Sequence, residues 1–276
     1  LGHHFSAIFS LEKEKNDMLE IKNLAVAYDN KKVLQEINFS VETGQRLAII
    51  GPNGSGKTTL LKGILGLIEH QGQIKFNNRS LSSFKRIERA EKVALLSQNP
   101  TLYFSYTVYE TLMLGLYTQL RKRFMAVAGR EDKERVLQVM KELNLYEIRK
   151  RQLSTLSGGQ LQRVFFARTL LQNPDIILLD EPNNHLDIYY QLEMLRYLDK
   201  YLDQEKTVIA VFHDINLALA FSENILVLKE GKVLSHGKAE ELLTRDFLIQ
   251  LYQTDVLDYM LKKHTFWQKI EEKKKS

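Results

Sequence analysis

The stretch GPNGSGKTTLLKGILGL, residues 51–67, decides the reading of this chain. It follows RLAII (46–50), a continuous apolar run of the kind that fills a buried strand. It then passes into a helical pattern with Leu60, Leu61, Ile64, Leu65 and Ile68 at helical spacing. GPNGSGKT at 51–58 therefore fits G-x-x-x-x-G-K-[ST] in the context that pattern needs, a strand before it and a helix after it. The residue types account for the chemistry. Gly51, Gly54 and Gly56 let the backbone curl so that successive N–H groups point inward at phosphate oxygens. Pro52, Asn53, Ser55 and Thr59 belong to the same expected binding segment. Lys57 supplies a mobile cation for the β- and γ-phosphates, and the Thr58 hydroxyl is placed for Mg²⁺. The pattern predicts a nucleoside triphosphate site.

Such a site needs a metal carboxylate. The strand IILLD (176–180) offers Asp180 at its C-terminal end, where parallel sheets bind ligands. Alone, Asp180-Glu181-Pro182 equally suits a polar strand end before a turn. Beside a phosphate loop, Asp180 reads as the metal carboxylate and Glu181 as a base for an attacking water. Working outward, strands are expected at 19–23, 37–41, 73–76, 92–96, 207–212, 225–229 and 232–235, with helices at 158–172 and 188–203. Strands alternating with helices imply an α/β fold around a parallel sheet covered on both faces. The helical pattern between about Thr107 and Leu145 predicts a subdomain inserted into it.

Composition narrows the classes. The 276 residues are 44% apolar and 26% charged, as in globular domains, and the absence of cysteine excludes disulfide scaffolds, thiolate metal sites and cysteine nucleophiles. A net charge of +5 permits an acidic partner without demanding one. No apolar run approaches the roughly 18–20 residues that span a bilayer. The first ten residues lack the basic start and cleavage site of a secretory signal, and residues 1–17 are expected to be a flexible extension. At the other end, residues 241–276 are expected to form a helical tail made basic by Lys262, Lys263, Lys269 and Lys273–Lys275, with Phe266 and Trp267 able to cover neighbouring apolar surface.

LSGGQLQRVFFARTLL (156–171) followed by DIILLDEP (175–182) resembles the nucleotide-binding subunit of ATP-binding cassette (ABC) transporters, from about Met18 to Gly237. The resemblance implies a P-loop NTPase core of RecA-like type, an N-terminal antiparallel β subdomain and an inserted α-helical subdomain at about 98–160, within an ATPase domain of 18–240. It implies ATP and Mg²⁺ as ligands. Gln98 takes the place of a glutamine that binds Mg²⁺ and the attacking water, and His213 that of a histidine on the γ-phosphate. Tyr28 takes the place of a ring stacked on adenine, though it equally suits a core aromatic. Asp187 falls in a loop that communicates across a dimer.

Physically, Ser157, Gly158, Gly159 and Gln160 form a second helix start able to bind phosphate, or an ordinary helix cap. The resemblance resolves the duplication with a head-to-tail homodimer, each copy closing over the nucleotide of the other. EPNNHLD (181–187) is similar to the EPTNHLD of importers for iron–siderophores, haem and vitamin B12, with Asn183 in place of threonine. This implies transmembrane permease subunits as partners, an external substrate-binding protein indirectly, no nucleic acid, and a peripheral place on the cytoplasmic face of the plasma membrane. Tyr103, Phe104, Tyr106 and Tyr109 are expected to face the permease or to close the helical subdomain's core. A soluble cassette ATPase acting on ribosomes or DNA is the alternative. Its usual pair of fused cassettes is not matched here, where one phosphate loop and one LSGGQ occur.

Overall fold

The computed structural model describes residues 17–29, 31–98, 105–122, 127–184, 186–201 and 205–272. In chain order it begins with β1 (Asp17–Tyr28), β2 (Lys31–Glu42) and β3 (Arg46–Ile50), then α1 (Lys57–Ile64), β4 (Gln71–Phe76) and β5 (Arg79–Ser80). Next come α2 (Arg86–Lys92), β6 (Val93–Leu96), α3 (Val108–Gly115), α4 (Tyr117–Leu120), α5 (Arg130–Glu142) and α6 (Gly158–Leu171). The chain continues through β7 (Ile176–Asp180), α7 (Ile188–Tyr201), β8 (Thr207–Val211), α8 (Ile215–Phe221), β9 (Asn224–Lys229) and β10 (Lys232–Lys238). It ends in α9 (Ala239–Leu242), α10 (Arg245–Tyr252) and α11 (Val256–Glu272).

Two sheets organise these elements: an antiparallel one in the order β2-β1-β4-β5 and a six-stranded one in the order β10-β9-β3-β8-β7-β6. In the second, β9, β3, β8, β7 and β6 run parallel. Their alternate residues feed two cores. Leu47, Ile49, Leu178 and Ile209 face α1 and the antiparallel sheet, while Ala48, Ile50, Leu179 and Ala210 face α6, α7 and the inserted helices. Burial on both faces is why these strands read as unbroken apolar runs. The expectation of a wholly parallel sheet needs one correction, because β10 is antiparallel to β9. Only Glu230 and Gly231 separate the two, both with positive φ (49° and 74°), the conformation of a tight hairpin turn that cannot support a parallel crossover.

The strands expected at 19–23 and 37–41 extend to twelve residues each in β1 and β2. Asn23 (φ 52°) and Glu36 (φ 50°) interrupt the pleat, and the pairing register shifts between Ile21 and Leu24. Each interruption switches the buried parity: Leu19 and Ile21 give way to Leu24 and Val26, and Leu34 gives way to Ile37, Phe39 and Val41. Asn38 bridges the gap, accepting from Asn23 N at 2.8 Å and donating to Glu36 O at 2.8 Å. A period-two reading stops at such a parity change. Similarly, α1 ends at Ile64, leaving Leu65 and Ile68 beyond it. Gly66 (φ 62°) turns the chain there, and Leu67 N donates back to Lys62 O at 3.0 Å.

The insert closes on itself where Val108 N donates to Arg151 O and Leu153 N to Tyr106 O, both at 3.0 Å. Tyr109 packs into the helical core and Tyr106 stays exposed, whereas Tyr103 and Phe104 lie outside the described residues. The segment expected as a tail is not wholly separate from the body: Leu248 and Leu251 of α10 are buried in it. Along α11, every residue from 261 to 271 is exposed, so Phe266 and Trp267 are not covered by their own chain.

Helix α3 of the insert crosses α6 closely. A methyl group at Gly115 of α3 would come within 2.7 Å of Arg168 O and 3.1 Å of Leu171 Cβ on α6. Gly115→Ala is expected to lower stability by about 1–3 kcal/mol, as overpacking does; a thermal melt coinciding with that of the parent would place the crossing elsewhere.

Candidate functional site

The phosphate loop joins β3 to α1 and is pressed from behind by other backbones. Gly51 adopts φ 150° and Gly56 φ 101°. A Cβ at Gly51 would lie 2.0 Å from Leu228 O, and one at Gly56 would lie 2.6 Å from Leu34 Cδ2 and 3.3 Å from Val33 O. Glycine is thus required twice, for conformation and for space. Gly54 (φ 77°) has open space around it on the ligand side. At the N-cap position of α1, Gly56 offers no side-chain hydrogen bond, so the helix's first N–H groups are left to face the loop.

Lys57 is buried and donates to Gly51 O at 2.9 Å and Pro52 O at 3.0 Å. Burial pulls its pKa below the ordinary lysine value, against the opposing pull of Glu181 and Asp180. Thr58 Oγ1 donates to Asp180 Oδ1 at 3.1 Å, tying the helix to the end of β7. Burial raises the Asp180 carboxyl above the usual carboxylate range, more than the Thr58 hydrogen bond lowers it.

Glu181 is buried, in the left-handed region at φ 51°, and three side chains converge on its carboxylate. Gln98 Nε2 donates at 2.5 Å, Asn184 Nδ2 donates to the same oxygen, and His213 Nε2 lies 2.5 Å from the other oxygen. A non-glycine residue held at positive φ after a buried strand marks a site where conformation has been traded for placement.

Asn53, Gly54, Gly56, Lys57, Thr58, Thr59, Gln98, Glu181 and His213 line one open cleft of about 440 Å³. Asp180 sits beneath it through Thr58, while Gly51, Pro52 and Ser55 form the loop's back. Tyr28, 45% exposed, ends β1 and does not line the cleft, but Val33 of the next strand does. Ser157, Gly158, Gly159 and Gln160 do not join this cleft. Ser157 is exposed and caps its own helix, its Oγ accepting from Gln160 N at 3.3 Å while Ser157 N donates to Gln160 Oε1 at 3.1 Å. Asp187, also exposed, caps α7 by accepting from Tyr190 N at 3.0 Å.

Sequence reasoning missed Asn184. Its signal was the spacing from Glu181: Asn184 N donates to Glu181 O at 3.1 Å, the closure of a four-residue turn that carries the amide back onto the carboxylate. The oxygen donors Thr58, Gln98 and Asp180 suit a hard divalent cation. Among the described residues no group of three His, Asp or Glu is placed to cage a metal alone.

The profile described as ABC transporter matches residues 34–184. Over 86% of this chain and 88% of its own length, the iron(3+)-hydroxamate import ATP-binding protein FhuC of Bacillus subtilis is 33% identical. The manganese transport system ATP-binding protein MntB of Listeria monocytogenes is 35% identical over 83% of this chain and 93% of its own. Among solved structures, CbiO1 of Clostridium perfringens, part of the ABC transporter complex CbiONQ, superposes with a TM-score of 0.70 at 26% identity, covering 85% of this chain and 94% of that one.

Asp180 makes the stability of the chain sensitive to pH. With its folded pKa raised, the folded chain holds that proton more tightly than the unfolded chain does. The buried charge therefore opposes folding at neutral pH, and the penalty disappears as pH falls to the ordinary aspartate value of about 4. Without nucleotide or metal, Asp180→Asn is expected to melt above the parent at about pH 7.5, with the gain vanishing near pH 4. A variant less stable than the parent at neutral pH would reverse that assignment.

Proposed function

The chain belongs to the ABC transporter family, among its ATP-binding proteins, and on that footing we infer that it hydrolyses ATP to power import through a separate membrane permease. One observation carries the hydrolytic reading: a buried carboxylate, Glu181, turned into the phosphate-loop cleft and oriented by Gln98, Asn184 and His213.

The curled loop and the α1 N-terminus bind the phosphates, and Lys57 exchanges its bonds to Gly51 O and Pro52 O for phosphate oxygens. Thr58, Gln98 and Asp180 would hold Mg²⁺, which would supply positive charge beside the phosphates. Glu181 accepts a proton from the water whose oxygen attacks the γ-phosphorus, and the bond to the bridging oxygen of ADP breaks. His213 orients the carboxylate and stands at the cleft wall beside the transferring group. Tyr28 offers its exposed ring to the adenine.

Ser157, with the N–H groups of Gly158 and Gly159 and with Gln160, serves the γ-phosphate of a second copy, and Asp187 lies at the same junction. The exposure of Ser157, Gly158 and Asp187, and the absence of all five residues from the lining of their own chain's cleft, support a homodimer. No described helix is long and apolar enough to cross a membrane. This agrees with peripheral attachment, through permease subunits, at the cytoplasmic face of the plasma membrane. A substrate-binding protein outside would deliver the cargo. The EPNNHLD segment and the hydroxamate-import relative favour iron–siderophore cargo, with haem and cobalamin next.

Glu181→Gln is expected to keep ATP binding, to cut turnover at least about a hundredfold, and to accumulate an ATP-dependent dimer in sedimentation. Turnover at the parent rate would take the base role from Glu181. Cells lacking the chain are expected to lose uptake of labelled ferric siderophore while keeping manganese uptake; the opposite pattern would assign manganese as the cargo.

A further inference from the structure

His213 is the wall between two openings. On one side is the nucleotide cleft; on the other is a groove of about 620 Å³ between the start of α8 and one face of α11. The groove floor is apolar, formed by Ile215, Val256 and Met260, and its rim carries Tyr259, Lys263 and Trp267. Lys263 Nζ stands 4.4 Å from the centre of the Tyr259 ring, and the Phe266 and Trp267 rings meet edge to face at 5.5 Å. The carboxylate on the wall, Asp214, is engaged in capping α8, accepting from Asn216 N at 2.7 Å. Asp214 stays exposed on the α8 side while capping, as Asp187 does at α7, and the α11 side of the rim presents the cation Lys263 with Tyr259 and Trp267. Tyr259 and Trp267 are 59% and 64% exposed on a helix that buries nothing from residue 261 to 271. Such a helix gains little from its own chain, and rings of that size are typical of contact surfaces.

The same chain carries a surface of opposite character. At the start of α7, Ile188, Tyr189 and Leu192 are 75%, 53% and 45% exposed, with Ile188 and Leu192 one helical turn apart. Asp187 adds an exposed carboxylate at the tip of this ridge. An apolar ridge ending in an anion complements an apolar groove whose α11 side carries Lys263. Both surfaces border the nucleotide site: the groove through His213, and the ridge through the short loop that leaves Glu181.

We propose that the groove between α8 and α11 receives the Asp187–Leu192 ridge of a second copy of this chain, so that α11 clasps the two copies beside each nucleotide. Two-fold symmetry closes both contacts at once, because each copy offers one ridge and one groove. The proposal rests on the homodimer inferred above. It adds to that dimer a contact made outside the phosphate loop and the LSGGQ segment.

The absence of native cysteine allows a clean test. Ile188→Cys in one preparation and Trp267→Cys in another, both carrying Glu181→Gln and distinguishable by tag length, are mixed with ATP and Mg²⁺ and mildly oxidised. The expected result is a disulfide between the two species that neither gives alone. Trp267→Glu is expected to weaken ATP-dependent dimerisation about tenfold while leaving ATP binding unchanged. An ATP-dependent dimer without the mixed disulfide overturns the clasp and leaves the nucleotide-sealed dimer standing. No ATP-dependent dimer overturns both. A disulfide between two Trp267→Cys copies shows α11 pairing with itself and also overturns the proposal.

Discussion

The site depends on the contact of three backbones without side chains between them. The phosphate loop is shaped from behind by β2 and by the β9–β10 hairpin, which approach so closely that only hydrogen fits at Gly51 and Gly231, while the Leu34 side chain closes on Gly56. A Cβ at Gly231 would lie 2.2 Å from Val33 O, while Gly231 N donates to Ser55 O at 3.1 Å and Gly231 O accepts from Gln35 N at 2.8 Å. The hairpin turn is thereby bonded to the loop on one side and to the antiparallel sheet on the other. This is how the small sheet sets the curvature of a loop it does not belong to. The loop's outline is thereby fixed by contacts with its neighbours as well as by its own sequence.

Within that frame the charges are placed against their own interests. Lys57, Asp180 and Glu181 are all buried, and desolvation pushes Lys57 down and Asp180 up, each toward its neutral form. Hydrogen bonds from Thr58 to Asp180, and from Gln98 and Asn184 to Glu181, hold the anions. A site so arranged gains from a ligand that brings both negative phosphate and a positive ion, because each restores a counter-charge that burial removed.

Much of this was legible in the sequence, for physical reasons that differ by element. The five parallel strands were readable because burial on both faces leaves an unbroken apolar run, as in RLAII and IILLD. The phosphate-loop residues and the pair Asp180–Glu181 were singled out by residue type at fixed spacing, and the fold brings them together at one cleft. The outer halves of β1 and β2 were not, since Asn23 and Glu36 flip the alternation in mid-strand. Nor was Asn184, whose role comes from a turn that folds it back on Glu181, an event of geometry rather than of pattern. The antiparallel β10 was announced only by the two residues Glu230-Gly231, too brief a signal to distinguish a hairpin from a longer return.

Lys57 has one more consequence. In the structure its ammonium sits on the carbonyls of Gly51 and Pro52, residues of the very loop that it serves. One side-chain cation thereby fastens the first residue of the helix to the first two residues of the loop, so a substitution at position 57 alters the backbone outline around it as well as the local charge.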